Sequence, residues 1–290
     1  MAVLRFDGLT AIITGAGRGL GAAHSRYLAE RGAAIVANDL TGEGEGRADR
    51  TVSQITASGG NAIAVHGSIA DDGTPAALVN AAVDTFGGVD IVVNNAGIGL
   101  PAGVAELRPV DLRREYDVHV VGALALVSAS WPHLVASWHG AIVNTGSGVG
   151  MFGLQGAIGY AAAKMALVGA TRAIAQEGAR HNVRANVVAP MASTRMAGGM
   201  FGDLADALRP DLVSPVVAWL AHPSCPLTGE VLSAAGGRVA RAVTTVGRGA
   251  RASTPEEIAE LWPDLRDDEQ LELAHALREP QLVRDLSPEA

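Results

Sequence analysis

The chain has 290 residues, of which 48% are hydrophobic and 18% are charged, a balance typical of an α/β protein that buries a full core. Its net charge of −8 at pH 7 argues against a protein that grips the nucleic-acid backbone, because such a protein needs a basic face. The single cysteine, Cys225, excludes an internal disulfide, and since no Cys/His cluster surrounds it we predict no metal site. No apolar run approaches the roughly 18 residues of a membrane span, and no cleavable signal precedes the first strand pattern. We therefore expect a cytoplasmic protein.

Seven short apolar runs alternate with segments long enough for helices. Strands that are apolar throughout and separated by helices indicate a parallel sheet with helices on both faces, a doubly wound α/β architecture. Such sheets bind ligands beyond the carboxyl ends of their strands, so the residues after each run are candidates for a site. The runs are 11–14, 34–39, 62–65, 90–95, 141–145, 183–189 and 230–234.

Two later segments depart from this alternation. Residues 191–210 are rich in Gly and Met and follow the sixth run, and we predict that they form a mobile lid over a site. From about residue 240 the apolar periodicity weakens, and "STPEE" at 253–257 predicts a helix start. We therefore divide the chain into a main α/β domain, 1–240, and a C-terminal extension, 241–290. That this extension packs on or near the substrate site is implied by the family resemblance described below.

The first strand leads into the glycine-rich stretch "TGAGRGLG" at 14–21, which opens a helix. Glycines there let the backbone approach a pyrophosphate, which the helix N-terminus then holds. Asp39 ends the second strand twenty residues after Gly19, where a carboxylate accepts the ribose hydroxyls of NAD and repels the extra phosphate of NADP. Arg18 favours that phosphate instead. We predict NAD as the cofactor, with NADP less favoured.

Tyr160 and Lys164 lie four residues apart, so in a helix their side chains share one face. Lys164 is the only lysine among 22 Lys and Arg residues, which suggests a position where arginine fails. An ammonium beside a phenol stabilises the phenolate and lowers the pKa of the tyrosine. An ordinary surface lysine near a core tyrosine is the alternative at this point.

Together, the motifs "TGxxxGxG" at 14–21, "NNAG" at 94–97, a serine at 147 and "YxxxK" at 160–164 resemble the short-chain dehydrogenase/reductase family. The resemblance covers about residues 6–237 and implies a single Rossmann-type domain. It implies that Ser147 orients the substrate oxygen and that Tyr160 is the general acid/base. Lys164 is implied to hold the nicotinamide ribose and to lower the tyrosine pKa.

The same resemblance implies a set of cofactor contacts. Asn94 ties the sheet together near the cofactor, Ala96 and Gly97 back the adenosine, and Val188 offers backbone groups to the nicotinamide amide. Ser68 stands where the family commonly has an aspartate for the adenine. The full set is Gly15, Arg18, Gly19, Leu20, Gly21, Asp39, Ser68, Asn94, Ala96, Gly97, Tyr160, Lys164, Val188 and Thr194.

One departure concerns the proton relay. His119 stands where the family usually has a helix asparagine that completes the relay. An imidazole still hydrogen-bonds a relay water, and a histidine that titrates makes the relay depend on pH. A buried histidine with satisfied hydrogen bonds is the alternative.

Within the family, the chain is similar to the (3R)-hydroxyacyl-CoA dehydrogenase region of peroxisomal multifunctional enzymes of type 2 and to bacterial single-domain relatives. This similarity implies oxidation of a secondary alcohol, either a (3R)-hydroxyacyl-CoA or a 17β-hydroxysteroid. Two other readings stay open: an NADPH-dependent ketoreductase and a non-catalytic NAD-binding protein. The stretches that carry the similarity are 38–46, 118–124, 189–196, 208–237 and 254–262.

Apolar residues near the catalytic motifs suit a bulky apolar substrate, because methionine adapts to varied shapes. They are Met151, Phe152, Leu154 and the stretch from Met191 to Phe201. The helical segments at 118–131 and 161–174 are too apolar to face solvent on all sides. With the family resemblance, they predict a homodimer or homotetramer.

Overall fold

The computed structural model describes residues 3–40, 47–267 and 269–272. The chain divides into two compact units, Met1–Arg241 and Ala242–Ala290. Residues 41–46 of the predicted similarity region, and residues 268 and 273–290 of the tail, lie outside the described residues.

An eight-stranded sheet in the order β3-β2-β1-β4-β5-β6-β7-β8 forms the centre of the fold. The first seven strands pair in parallel throughout, which confirms the predicted doubly wound α/β fold. The strands are β1 (Thr10–Thr14), β2 (Ala34–Asp39), β3 (Ala62–His66), β4 (Ile91–Asn94), β5 (Ala141–Thr145), β6 (Arg184–Met191), β7 (Val231–Ala235) and β8 (Arg238–Ala242).

The eighth strand is an addition to the seven predicted. It follows β7 after only two residues, Gly236 and Gly237, whose φ angles are 55° and 83°. Two adjacent residues with positive φ are the requirement of a type I′ turn, and the glycine pair meets it without strain. A two-residue connection joins antiparallel strands, so β8 closes the sheet as a hairpin with β7.

Helices cover both faces of the sheet because successive side chains of each strand point in opposite directions. Ile13 packs in one core with Leu28 of α1 and Leu220 of α8. Ile12 packs in the other core with residues of α3 and α5. The helices are α1 (Gly19–Ala29), α2 (Arg47–Ala57), α3 (Thr74–Phe86), α4 (Pro109–Tyr116), α5 (Gly122–Ser137), α6 (Gly148–Phe152), α7 (Ile158–Gly178) and α8 (Ser214–Ala221).

A π-helical turn, Asp117–Val121, joins α4 to α5, so that Pro109–Ser137 forms one continuous helical segment. Its length and composition suffice to cross a membrane. Core helices of α/β proteins pass the same test, and Leu126 and Leu134 of this segment are fully buried. The segment is therefore weak evidence for a span, and the predicted absence of one stays a prediction.

The second unit contains α9 (Pro255–Asp267) and the antiparallel strands β9 (Thr245–Gly247) and β10 (Gln270–Glu272). The helix begins at the proline that the sequence pattern predicts, and Thr254 Oγ1 accepts a hydrogen bond from Glu257 N at 3.2 Å. Packing of this extension on the substrate site stays a prediction.

Candidate active site

The structure brings Tyr160 and Lys164 together at the carboxyl edge of the sheet. Both lie in the first two turns of α7, and Lys164 Nζ is 5.6 Å from the centroid of the Tyr160 ring. The Lys164 side chain is only 3% exposed, and its ammonium donates to Thr145 O, at the end of β5, at 2.6 Å. Burial without a paired acid favours the neutral form and lowers the pKa of Lys164 to about 7. This is an enclosed lysine site, not a surface position.

Ser147 lies near Tyr160, between the end of β5 and the start of α6. It follows β5 by two residues and caps α6, its Oγ accepting from Val149 N at 3.1 Å. The Ser147 hydroxyl lies close enough to the Tyr160 hydroxyl to favour the phenolate, which lowers the pKa of the tyrosine. The three side chains of the predicted catalytic set therefore form one cluster.

The net direction of the Tyr160 pKa differs from the one expected for a tyrosine beside a lysine. Burial of the phenol has the largest effect and raises the pKa, the Ser147 hydroxyl opposes it, and the nearby carboxylate of Glu115 raises it further. Removing the phenolate from water costs more than the Ser147 hydroxyl returns. In the chain without ligand, the phenol of Tyr160 therefore keeps its proton.

His119 lies in the π-helical turn and packs against Tyr160. It is 1% exposed, and its Nε2 is 2.6 Å from the carbonyl oxygen of Ile98. Nε2 also lies 3.2 Å from Ile98 N, which can only donate. The contact with the carbonyl oxygen, which can only accept, is much the shorter of the two, so we place the ring proton on Nε2 and a lone pair on Nδ1. Burial lowers the pKa of His119 to about 3, with a further lowering by the charge of Lys164. This low pKa favours the neutral ring, and the role of His119 in a proton relay stays a prediction.

The His119 Nδ1 atom is fully buried and finds no hydrogen-bond partner among the described residues. A buried acceptor of this kind is costly unless something donates to it. It is suited to accept from a relay water, which is the role that the resemblance implies at this position.

The glycine-rich stretch forms a close-packed cradle at the end of β1. Gly15 has a φ of 65°, and a Cβ placed on it would lie 2.9 Å from Ala96 Cα. A Cβ on Gly21 would collide with Gly15 O. Thr194 comes from the other side, with its Cγ2 at 3.6 Å from the Cβ position of Gly19. Side chains at Gly15 and Gly21 would therefore disrupt the close packing of this turn, and their absence lets its backbone N–H groups lie at the surface of the cradle.

Helix α1 starts in this cradle at Gly19, with Arg18 at the N-cap position and no cap from any described side chain. Uncapped N–H groups and the helix dipole favour an anion there. Leu20 lies in the first turn and supplies one of these backbone groups. The cradle therefore fits the pyrophosphate of a dinucleotide.

Asp39 lies at the ribose side of the cradle, with its side chain 10% exposed. Its Oδ2 accepts from Gly17 N at 2.9 Å and its Oδ1 from Leu40 N at 2.7 Å. Arg47 Nη1 is 4.0 Å from Oδ1. Gly17 N therefore holds the carboxylate of Asp39 in place. Gly17 was not among the predicted contacts, although its position inside the glycine-rich stretch "TGAGRGLG" could have indicated it.

Arginines also approach this end of the cradle. Burial lowers the pKa of Arg18, as do the charges of Arg195 and Arg47, whereas Asp39 raises it. These four charged groups are therefore close enough to interact. Their combined charge is positive, which favours anionic groups of a ligand.

The resemblance implies that Asn94 both ties the sheet together and lies near the cofactor, but the structure divides these two roles between Asn94 and Asn95. Asn94 is 4% exposed, and its Nδ2 donates to Asn144 Oδ1 at 2.9 Å and to Ala123 O at 3.2 Å, so it ties β4 to β5 and α5. Asn95 instead donates from Nδ2 to Thr14 O at 2.9 Å, which ties β4 to the start of the cradle. Sequence reasoning missed Asn95, although it is the second residue of the "NNAG" motif.

Two predicted contacts are engaged in the fold itself. The carbonyl of Val188 accepts from Gly146 N at 2.7 Å, and β6 continues past it to Met191. Val188 is therefore inside the strand, and its carbonyl is occupied by the sheet. Ser68 lies beyond β3 and its Oγ accepts from Ala70 N at 3.2 Å, which leaves its hydroxyl proton available to a ligand.

Large apolar side chains are exposed at the same edge of the sheet. Large exposed apolar groups on a single chain mark binding surfaces. The segment after β6 approaches the loop after β4, because Met196 Cγ is 4.0 Å from the Cβ position of Gly99. The exposed side chains are Phe152 (83%), Leu154 (47%), Met191 (51%), Met196 (54%) and Met200 (64%).

Residues 9–203 match the model of the family described as short chain dehydrogenase. The chain belongs to the short-chain dehydrogenase/reductase family. It thereby belongs to a family of oxidoreductases that use a nicotinamide cofactor, NAD or NADP, act on small molecules and are typically oligomeric. The cradle, its uncapped helix and Asp39 fit such a cofactor.

Relatives of known name agree with this placement. The chain is 38% identical to peroxisomal multifunctional enzyme type 2 of Drosophila melanogaster over 278 residues, covering 91% of this chain and 46% of that protein. The structure of that full-length enzyme superposes with a TM-score of 0.81 and 31% identity, over 98% of this chain and 50% of that one. The chain thus spans about half the length of this relative.

Two further relatives come from fungi and bacteria. The peroxisomal hydratase-dehydrogenase-epimerase of Neurospora crassa is 36% identical, with 91% of this chain and 31% of that protein covered. A short-chain type dehydrogenase/reductase of Mycobacterium tuberculosis is 35% identical, with 88% and 93% covered. The match therefore covers nearly the whole length of the mycobacterial relative.

Proposed function

We propose that the chain is an NAD-dependent dehydrogenase that interconverts a secondary alcohol and a ketone. The observation that carries this proposal is the cluster of Ser147, Tyr160 and Lys164 beside the glycine cradle. It supplies a proton-transferring hydroxyl, a second hydroxyl to hold the reacting oxygen and a buried cation at one edge of the sheet. A non-catalytic NAD-binding protein has no need of this complete set.

In the oxidative direction, Tyr160 as phenolate takes the proton of the substrate hydroxyl. Ser147 hydrogen-bonds the same oxygen as it becomes a carbonyl, and Lys164 stabilises the phenolate by its charge. A nicotinamide cofactor bound in the glycine cradle beside Asp39 would supply the hydride acceptor for this oxidation. His119 Nδ1 accepts a hydrogen bond from a water through which the proton leaves, and its neutral ring does so without titrating.

NAD is favoured over NADP by Asp39. Its carboxylate is held in place by Gly17 N and Leu40 N, so it stays at the ribose position and disfavours a second negative group there. The rival, an NADPH-dependent ketoreductase, is favoured by Arg18, Arg47 and Arg195, which interact at the same end of the cradle. The ratio of kcat/KM for the two cofactors decides between them.

For the substrate we propose a (3R)-hydroxyacyl-CoA or, as second branch, a 17β-hydroxysteroid. The exposed Phe152, Met191 and Met196 offer an apolar surface to a chain or ring system. The names of the relatives support the first branch, because the fungal protein is a hydratase-dehydrogenase-epimerase.

The test is NADH formation by purified protein with NAD or NADP and each of the two substrates. The (3S)-hydroxyacyl-CoA is the stereochemical control. Tyr160→Phe is the blank and Tyr116→Phe, an exposed tyrosine on α4, is its matched control. We expect turnover with NAD and the (3R) substrate, lost by a factor of about 10² to 10⁴ in Tyr160→Phe alone. Bound NAD without turnover of any alcohol would contradict the proposal.

We propose a homodimer or homotetramer, because members of the family are typically oligomeric and because two apolar side chains are exposed. These are Val121, at the end of the π-helical turn before α5, and Met165, on α7. Analytical ultracentrifugation tests it. A cytoplasmic location stays a prediction, because relatives named peroxisomal share this fold.

A further inference from the structure

A buried acid, Glu115, lies next to the catalytic cluster and has no part in the reaction described above. It is the last but one residue of α4 and is only 2% exposed. Its Oε1 accepts from Leu100 N at 2.9 Å. A carboxylate is rarely buried to this degree, and the cost of its desolvation demands a compensating role.

Glu115 acts together with His119, four residues later on the same helical face. The two side chains hold alternate residues of the loop that follows β4: His119 binds Ile98 and Glu115 binds Leu100. The same loop pairs at its far end with the segment before α7, where Ala102 N donates to Gly156 O at 2.9 Å. Glu115 is thus an anchor of the loop that adjoins the start of the catalytic helix.

The Glu115 carboxylate also lies against α7 directly. A Cβ placed on Gly159 would collide with its Oε2. Gly159 immediately precedes Tyr160, and the charge of Glu115 acts on the phenol from this position. The absent side chain at 159 is what lets a carboxylate sit this close to the catalytic helix.

We propose that Glu115 is a positioning residue that fixes the loop at Leu100 and places its carboxyl group against Gly159, where it controls the electrostatic environment of the adjoining Tyr160. The charged and titratable groups that face Tyr160 are Glu115 from α4, His119 from the π-helical turn and Lys164 from α7. Of these three, Glu115 is the one whose charge raises the pKa of Tyr160. This inference rests on the proposed function.

The experiment titrates the tyrosinate absorbance of the full chain in a Tyr27→Phe, Tyr116→Phe background, which leaves Tyr160 as the only tyrosine. Glu115→Gln keeps an oxygen for Leu100 N and removes only the charge. We expect it to lower the pKa of Tyr160 by about one unit. Asp111→Asn, one turn earlier on α4 and paired with Arg108 at the surface, is the matched control and should leave the titration unchanged.

Glu115→Met separates the anchor from the charge, because it fills a similar volume but accepts no hydrogen bond from Leu100. We expect the same shift of the tyrosinate titration and, with substrate, a raised KM that Glu115→Gln does not show. A titration that is unchanged in both variants, with native circular dichroism, would overturn the proposal. Since the titration needs no substrate, absence of turnover in the unmodified chain would count against the proposed function and leave this test intact.

Discussion

The imidazole ring of His119 meets the phenol ring of Tyr160 edge-on, with centroids 5.2 Å apart and planes at 88°. This contact holds the two side chains at one fixed separation. His119 therefore lines the candidate active site. The contact between its Nε2 and Ile98 O fixes the orientation of the ring and so the direction of Nδ1.

From this relationship we predict that His119 contributes no ionisation to the pH profile of kcat/KM between about pH 5 and 9, since its pKa is near 3. Replacing it with asparagine removes the only imidazole at the site. We expect the variant to keep the apparent pKa values of the profile while its kcat changes. If kcat/KM of the unmodified chain changed with an apparent pKa near 6.5, and this change were absent in His119→Asn, the prediction would be wrong.

Gly97 and His119 form a size-matched pair. A Cβ on Gly97 would lie 2.5 Å from His119 Cε1, too close for any real contact. We expect Gly97→Ala to lose activity by displacing the ring, and a second change, His119→Asn, to restore part of it. Turnover of the two single variants and the double variant measures their coupling, expected to be about 0.5–3 kcal/mol. Strictly additive losses would show that the ring is not the obstacle.

Asp39 controls cofactor choice in our proposal. Replacing it with serine removes the carboxylate and leaves Arg18, Arg47 and Arg195 unopposed at that end of the cradle. We expect the preference for NAD over NADP to fall by about ten-fold or more, since a hydrogen bond to a charged group is worth roughly 1.5–3 kcal/mol. The measurement is kcat/KM with each cofactor. Asp49→Asn is the control: this carboxylate on α2 lies 3.2 Å from Nε2 of His66 on β3, and its replacement should leave the ratio unchanged.

Lys164 occupies a closed site that suits an ammonium alone. A guanidinium is wider, and Thr145 O is only 2.6 Å from the present Nζ. We expect Lys164→Arg to abolish turnover and to lower the free energy of unfolding by about 1–3 kcal/mol through overpacking. Urea denaturation measures the loss, with Arg113→Lys on the exposed face of α4 as the matched control. Turnover at the unmodified rate would show that the position does not require lysine.

His24 predicts a loss of stability in acid. It is 1% exposed, its Nδ1 lies 2.9 Å from Ser214 Oγ, and burial lowers its pKa from 6.5 to about 3. Between these two values the unfolded chain binds a proton that the folded chain does not. The free energy of unfolding therefore falls as pH drops from about 6.5 toward 3, by up to about 1.4 kcal/mol per pH unit from this residue.

The test of this loss compares urea denaturation across that pH range in the unmodified chain and in His24→Asn. We expect a shallower dependence on pH in the variant. His139→Asn, at an exposed histidine, should keep the original slope. Equal slopes in all three proteins would sink the prediction.

The sheet was predictable because its first seven strands are mainly apolar, and burial on both faces favours such a composition. The strand β8 was not, since "RVARA" has two arginines among five residues and is largely exposed at the edge of the sheet. Its glycine-pair turn was the available signal. Local composition identifies buried strands better than those with one face in solvent.

At the site, the motif residues were predictable and their partners were not. Ser147, Tyr160 and Lys164 stand in a recognisable spacing, and the structure brings them together. Glu115 reads in the sequence as an ordinary polar residue of a surface helix. Its burial depends on Leu100 and Gly159, which are distant from it in the chain and meet it only in the folded protein.

The π-helical turn Asp117–Val121 has a consequence for which changes this region tolerates. Gly122 N donates to Asp117 O, five residues back, so the turn carries one residue more than an α-helical turn. Deleting any one residue here would allow a regular α-helix to form. It would also move the residues of the turn itself, His119 among them, from their present positions, because the extra residue that the π-turn accommodates is lost. Homologues that keep His119 in its place should therefore vary in side chain along this stretch but not in the number of residues.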